Sequence, residues 1–163
     1  MAGKNHNPSI ARKILRDIKG GHPPETLLTE VERLSDPYYI SLGLTYIATS
    51  LSIKSSKSKK VFAKAFVNAN RVDQSWRRIE LLTEISKRLK KLEDGELKNI
   101  QYKKIFEIIN TENKKDINNF LIKNVKNFPI EQLDSILEKT VKLTGYEFDS
   151  SKAVIRAWII TTD

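Results

Sequence analysis

Few side chains in this 163-residue sequence could do chemistry at neutral pH. His6 and His22 are the only histidines, and neither has a carboxylate cluster near it in the sequence. A general base needs a partner within hydrogen-bond reach and a metal site needs three or four ligands, so these two imidazoles support neither. His22, between Gly21 and Pro23, reads as part of a turn. Cysteine is absent, which removes thiolate nucleophiles, thiolate metal sites and disulfides. The carboxylate pairs Glu30 and Glu32, Glu93 and Asp94, and Glu131 and Asp134 fall on faces or ends expected to be exposed. Glu131 stands in the first turn of a helix, where the helix dipole already accounts for a carboxylate. No Gly-rich phosphate loop, dinucleotide fingerprint or Gly-x-Ser-x-Gly elbow is present, and Gly20-Gly21 leads into His-Pro-Pro rather than following a strand. No catalytic residue, cofactor or metal is expected, and the chain is read as a non-enzyme.

Charge carries more information than any such motif. The formal net charge is +9, and it is unevenly placed. Residues 1–53 and 92–163 are each close to neutral, whereas residues 54–91 hold twelve basic residues against three acidic ones. The basic ones are Lys54, Lys57, Lys59, Lys60, Lys64, Arg71, Arg77, Arg78, Lys87, Arg88, Lys90 and Lys91. A basic segment of this kind is the footprint that DNA, RNA or another polyanion would use, through release of condensed counterions. Trp76, beside Arg77 and Arg78, could stack on an unpaired base. Lys54, Lys57, Lys59 and Lys60, interleaved with serines, read as a flexible loop suited to a phosphate backbone. The competing structural account is an ordinary solvated helix face, with Glu84 four residues before Arg88 in the favourable order for a pair. On that account Trp76 wedges between helices, and this is the favoured reading of it.

Apolar spacing places these residues on helices. Asn7 and Pro8 open a first helix over residues 8–19, closed by Gly20-Gly21. Leu27, Leu28, Val31 and Leu34 mark a second from Pro24, and Asp36-Pro37 caps a third with Ile40, Leu44, Ile47, Ala48 and Leu51 on its buried side. Val61, Ala65, Phe66 and Ala69 mark a fourth, ending near Asn70. Asp73 is expected to cap a fifth, which carries Ile79, Leu82, Ile85, Leu89 and Leu92 and stops at Asp94-Gly95. Further helices follow from Leu97 to Ile109, around Ile117, Phe120, Leu121 and Val125, around Ile130 to Val141, and from Asp149 onward.

A shift of 38 residues places Leu28 on Phe66, Val31 on Ala69, Leu34 on Val72, Tyr38 on Trp76, Leu44 on Leu82, Ile47 on Ile85 and Leu51 on Leu89. Such a period is the mark of stacked helical hairpins, none of which buries its apolar face alone. The segment Asp36-Pro37-Tyr38-Tyr39, leading into Leu44-Thr45-Tyr46-Ile47-Ala48-Thr49-Ser50-Leu51, resembles the helical repeats of uncharacterised archaeal proteins. Asp73 to Leu89 is a weaker copy, and the form is shared with tetratricopeptide-like and HEAT-like hairpins. That resemblance, over residues 24–92, implies a scaffold for binding.

The expected fold is one all-α domain over residues 1–163, of eight to nine helices in stacked antiparallel hairpins, as a short solenoid or a multi-helix bundle. Its parts are the helix at 8–19, repeated hairpins at 24–53 and 58–93, and C-terminal hairpins at 97–162. Residues 38–53 are too short and polar for a membrane span and read as a core helix. The N-terminus shows no secretory pattern, so a cytoplasmic protein without a membrane partner is expected. The leading function is an adaptor that binds another protein, with a nucleic-acid-binding subunit using residues 54–91 as the alternative.

Overall fold

The computed structural model describes residues 6–51 and 56–128, and within them the chain is all helical with no strand. Seven α-helices run in order: α1 (Asn7–Lys19), α2 (Leu28–Val31), α3 (Pro37–Ser50), α4 (Ser56–Asn70), α5 (Ser75–Leu89), α6 (Gly95–Ile109) and α7 (Lys114–Asn124). The helices expected at 130–141 and from 149, and Lys54, lie outside the described residues. No described helix is long and apolar enough to cross a membrane.

Several ends differ from expectation for identifiable reasons. Asn7 does not cap its own helix. Its side-chain oxygen accepts from the Ser35 and Asp36 amides at 2.7 and 3.2 Å, tying the start of α1 to the entry of α3. Pro24–Leu27 is a 3-10 turn leading into the one-turn α2 rather than a single long helix. Here the hydroxyls of Thr26 and Thr29 bond the carbonyls three residues back, at 2.8 and 3.1 Å. Asp36 caps α3 as expected, its carboxylate accepting from the Tyr38 amide at 2.9 Å. Residues 57–60 are helical rather than a loop, because Ser58 is buried at the start of α4 and donates to the Ala48 carbonyl at 2.9 Å. Gln74, not Asp73, precedes α5. That helix ends at Leu89, and Asp94 caps α6 by accepting from the Leu97 amide at 2.8 Å.

The centre of the fold is α3. It contains no charged residue, and Tyr38 together with every position from Ser41 to Ala48 is buried, so it has no solvated face rather than a single buried stripe. Its hydroxyls turn inward to the helix itself: Thr45 donates to the Ser41 carbonyl at 2.9 Å, and Ser50 to the Tyr46 carbonyl at 2.9 Å. Around it pack α1, α2, α4 and α5, with α4 the most extensive partner. The main pairing in this part of the chain is therefore α3 with α4, one helix later than the 24–53 and 58–93 grouping expects. Contacts fix the helix directions. Asn7 meets Ser35, Asp36 pairs with Arg77, and Thr83 meets Asn124, so α1, α3, α5 and α7 run the same way. Ser58 against Ala48 and Tyr102 against Ser86 set α4 and α6 antiparallel to them.

A buried polar chain joins α5, α6 and α7. Asn124 donates to Thr83 at 2.9 Å and to the Phe120 carbonyl at 2.8 Å, Asn127 donates to Asn124 at 3.1 Å, and the Tyr102 hydroxyl donates to the Asn127 carbonyl at 2.5 Å. Phe128 closes this end, with its ring 5.4–6.0 Å from those of Tyr102, Phe106 and Phe120.

Gly43 in mid-α3 is held there by close approach. A Cβ on it would lie 3.3 Å from Ile14 Cδ1 of α1 and 3.4 Å from Val31 Cγ2 of α2. Gly43→Leu is expected to lower stability by about 1–3 kcal/mol through overpacking. Gly43→Ala is expected to be near neutral, since its gain in helix propensity offsets a small shift of the Ile14 tip. Thermal denaturation distinguishes the two, and equal midpoints for Gly43→Leu and the unsubstituted chain would refute the packing.

Candidate functional site

The basic residues of 54–91 divide into two groups. Four are engaged inside the fold or on their own helix. Arg77 is half-buried, donates to Asp36 at 2.8 Å and lies over the Tyr38 ring with its guanidinium carbon 5.0 Å from the centroid. The Asp36 hydrogen bond raises its already high pKa. Arg78 pairs with the buried Glu112 carboxylate and donates to the Val72 carbonyl. Arg88 lies over the Tyr46 ring at 4.7 Å, and Lys87 pairs with Glu84 at 2.6 Å on the same helix. Burial pushes the phenols of Tyr38 and Tyr46 upward, with nearby Glu80 adding to the shift at Tyr38 and Arg88 opposing it at Tyr46. Both therefore act as neutral packing surfaces at ordinary pH.

The second group, Lys57, Lys59, Lys60, Lys64, Arg71, Lys90 and Lys91, is exposed and makes no ion pair among the described residues. Lys57, Lys59 and Lys60 stand in the first turns of α4, and Lys90 and Lys91 just beyond α5. Because α4 opposes α3 and α5 follows it, both sets lie at one end of the molecule.

Trp76 does not wedge between helices. It is 63% exposed, whereas Tyr38, its counterpart 38 residues earlier, is 9% exposed. Tyr38 is covered because α5 brings Arg77 across its ring. Arg78, the next residue in the chain, instead turns toward Glu112. The other six aligned pairs keep their burial, apart from half-buried Leu28.

No protein-family model matches the sequence. Comparison with curated proteins and with solved structures gives no match either.

Two open grooves flank α4. One, of about 670 Å³, lies between α4 and the 28–34 segment, with Leu34, Leu44 and Val61 in its apolar lining and Lys57, Lys60 and Lys64 along its α4 side. The other, of about 510 Å³, lies between α4 and α6, with Phe66, Ile100 and Ile108 set among Lys59, Gln101 and Lys104. Ala63 and Val67 line both. Val67 is 55% and Ile100 39% exposed, so apolar surface on this face is left in water. Val67 sits beside the buried stripe of α4 rather than in it, a signal present in the sequence that helical periodicity passes over as a loose core position. Ile100 lies on the outer side of α6, where Gln101 and Tyr102 take the buried positions beside it.

The remaining candidates for chemistry stay apart. His22 bonds through Nδ1 to the Asp17 carbonyl at 3.2 Å in an exposed turn. Glu30 is held by Lys13 and Arg33 at 3.3 and 3.1 Å. Among the described residues no cluster of histidine, aspartate and glutamate could hold a metal ion. One grouping was not legible in the sequence: the Ser75 hydroxyl lies 2.6 Å from Glu112 and 2.5 Å from Asp116, joining the starts of α5 and α7. With a single proton the hydroxyl can donate to one carboxylate at a time.

The division of the arginines and lysines has a measurable consequence. Arg77→Glu or Arg78→Glu is expected to destabilise the fold by about 1.5–3 kcal/mol, the worth of a charged hydrogen bond between helices. Lys60→Glu is expected to change stability by less than about 0.5 kcal/mol. Urea denaturation measures all three, and equal midpoints would assign Arg77 and Arg78 back to the free surface.

Proposed function

We propose that this chain is a non-enzymatic helical-repeat scaffold that binds another protein through the face formed by α2, α4 and α6. The single observation that carries the reading is the pair of apolar grooves on either side of α4, with Val67 and Ile100 exposed between and within them. Apolar clefts of this size with a few polar groups at their edges are the usual form of a binding site.

The repeat itself is supported by the spacing of the helices. α3, α5 and α7 begin at residues 37, 75 and 114, and α4 and α6 at residues 56 and 95, so each series advances by 38 or 39 residues. Stacked antiparallel hairpins, of the tetratricopeptide-like or HEAT-like kind found in uncharacterised archaeal proteins, would produce that spacing, and would leave grooves between successive outer helices. A photo-crosslinking residue at Val67 or Ile100 should give a discrete protein adduct in cells. The same residue at Ser9, exposed on α1, should not. Equal adducts at all three positions would overturn the reading.

A second reading, a nucleic-acid-binding subunit, is favoured by one feature: Lys57, Lys59, Lys60, Lys90 and Lys91 gather at one end with no ion pair among the described residues. Fluorescence anisotropy with single- and double-stranded DNA and RNA at about 50 and 200 mM salt tests it. Micromolar affinity that falls steeply with salt and is lost on reversing Lys59, Lys60, Lys90 and Lys91 to Glu is the result this reading requires. Affinity unchanged by those reversals would remove the site.

A further inference from the structure

We infer that the groove between α4 and the 28–34 segment takes an acidic amphipathic helix of a partner protein; this rests on the scaffold reading above. Its lining combines two features that select different parts of one ligand. The floor is apolar, with Val31, Leu34, Leu44 and Val61 buried beneath it and Leu28 and Ile40 half-buried at its sides. Water on such a floor is displaced favourably by aliphatic or aromatic side chains.

The α4 wall is cationic. Lys57, Lys60 and Lys64 recur at spacings of three and four, which puts them on one stripe of α4, about 10 Å long at 1.5 Å per residue. All three are exposed and none has a carboxylate partner among the described residues. Among the described residues the only acidic side chain in the lining is Glu32, on the opposite wall. A neutral apolar helix entering here would leave the three ammonium groups beside it without an opposite charge. A helix with apolar residues on one face and Asp or Glu at spacings of three and four beside it meets both requirements, with its apolar residues anchoring and its carboxylates lying along the lysines. Two turns match the stripe, the common mode in which a groove reads a helix through anchors three, four and seven residues apart. Rim charges of this kind chiefly set encounter rate and salt dependence, while the apolar anchors set residence time.

Nucleic acid would use the same lysines and ignore the floor, and this difference decides the experiment. The full chain is titrated with a fluorescent synthetic helix of about 15 residues, leucines on one face and glutamates beside them. Matched peptides carry glutamine for glutamate or serine for leucine, and a single-stranded oligonucleotide of equal charge is included. Two variants accompany it. K57E/K60E/K64E reverses the wall, and A63R fills the groove from an exposed position while adding positive charge.

The expected result is binding of the acidic amphipathic helix at least about tenfold tighter than either matched peptide, with a loss of at least about tenfold in both variants. Binding of the glutamine peptide at equal strength, lost in A63R, would overturn the acidic preference and leave the scaffold reading standing. Equal binding of the serine peptide or the oligonucleotide, strengthened by A63R, would show a simple polyanion surface and overturn the inference. A sedimentation shift from dimer to monomer in A63R would assign the groove to a second copy of this chain, and would also overturn it. No binding by any peptide would overturn the inference, while the scaffold reading would still be decided by the crosslinks at Val67 and Ile100.

Discussion

Everything else in the described fold depends on the burial of α3. A fourteen-residue helix with no charge and no exposed face cannot exist alone in water, so its neighbours are obligatory rather than supportive. Its four serine and threonine hydroxyls would be costly to bury if they faced apolar neighbours without partners. Those of Thr45, Thr49 and Ser50 are satisfied by the helix's own carbonyls, which leaves the side surfaces free to pack against α1, α2, α4 and α5. Ser41 is the exception, its hydroxyl buried without a hydrogen-bond partner among the described residues. Gly43 is the local adaptation that lets α1 and α2 approach from one side, at the expense of helix propensity.

Away from α3 the helices are joined by polar contacts. The pairs Asp36 with Arg77 and Glu112 with Arg78 link the starts of α3, α5 and α7, and the chain from Thr83 through Asn124 to Asn127 and Tyr102 links α5, α6 and α7 lower down. Adjacent arginines thus serve opposite neighbours. Such contacts add directional preference to an otherwise apolar interface, because only one register satisfies both partners. They also spend positive charge that the sequence alone would assign to solvent, and this narrows the free basic surface of residues 57–91 to α4, Arg71 just after it, and the end of α5.

The grooves follow from the same packing. α4 packs far more extensively on α3 than on α6, with Val61, Phe62, Ala65, Phe66 and Ala69 as its buried apolar positions. Ala63 and Val67 on its outer side are too small to fill the spaces to either neighbour, so apolar floors remain open on both flanks. The lysines of α4 can only stand at the edges of these spaces, since their stems reach across apolar surface while their ammonium groups stay in water.

Local signals in the sequence determined the helical class, most helix positions and the core. Proline and aspartate at helix starts, glycine at the end of α1, and apolar residues at spacings of three and four act within a few residues of one another, so they are readable without tertiary information. Leu44, Ile47, Ile79, Leu82, Ile85, Leu97 and Ile105 are buried as their spacing requires. The excess of lysine and arginine between residues 54 and 91 was equally plain. Only the tertiary structure decided which of those charges are free. Arg77 and Lys60 look alike in the sequence, and what separates them is that Asp36, 41 residues before Arg77, is brought within 2.8 Å of it by the packing of α5 on α3. Trp76 likewise could not be placed from its alignment with Tyr38, because burial of an aromatic ring at a helix start depends on what the neighbouring helix lays over it. The grooves were invisible for the same reason: a cleft is a property of the distance between helices, and no single helix encodes it.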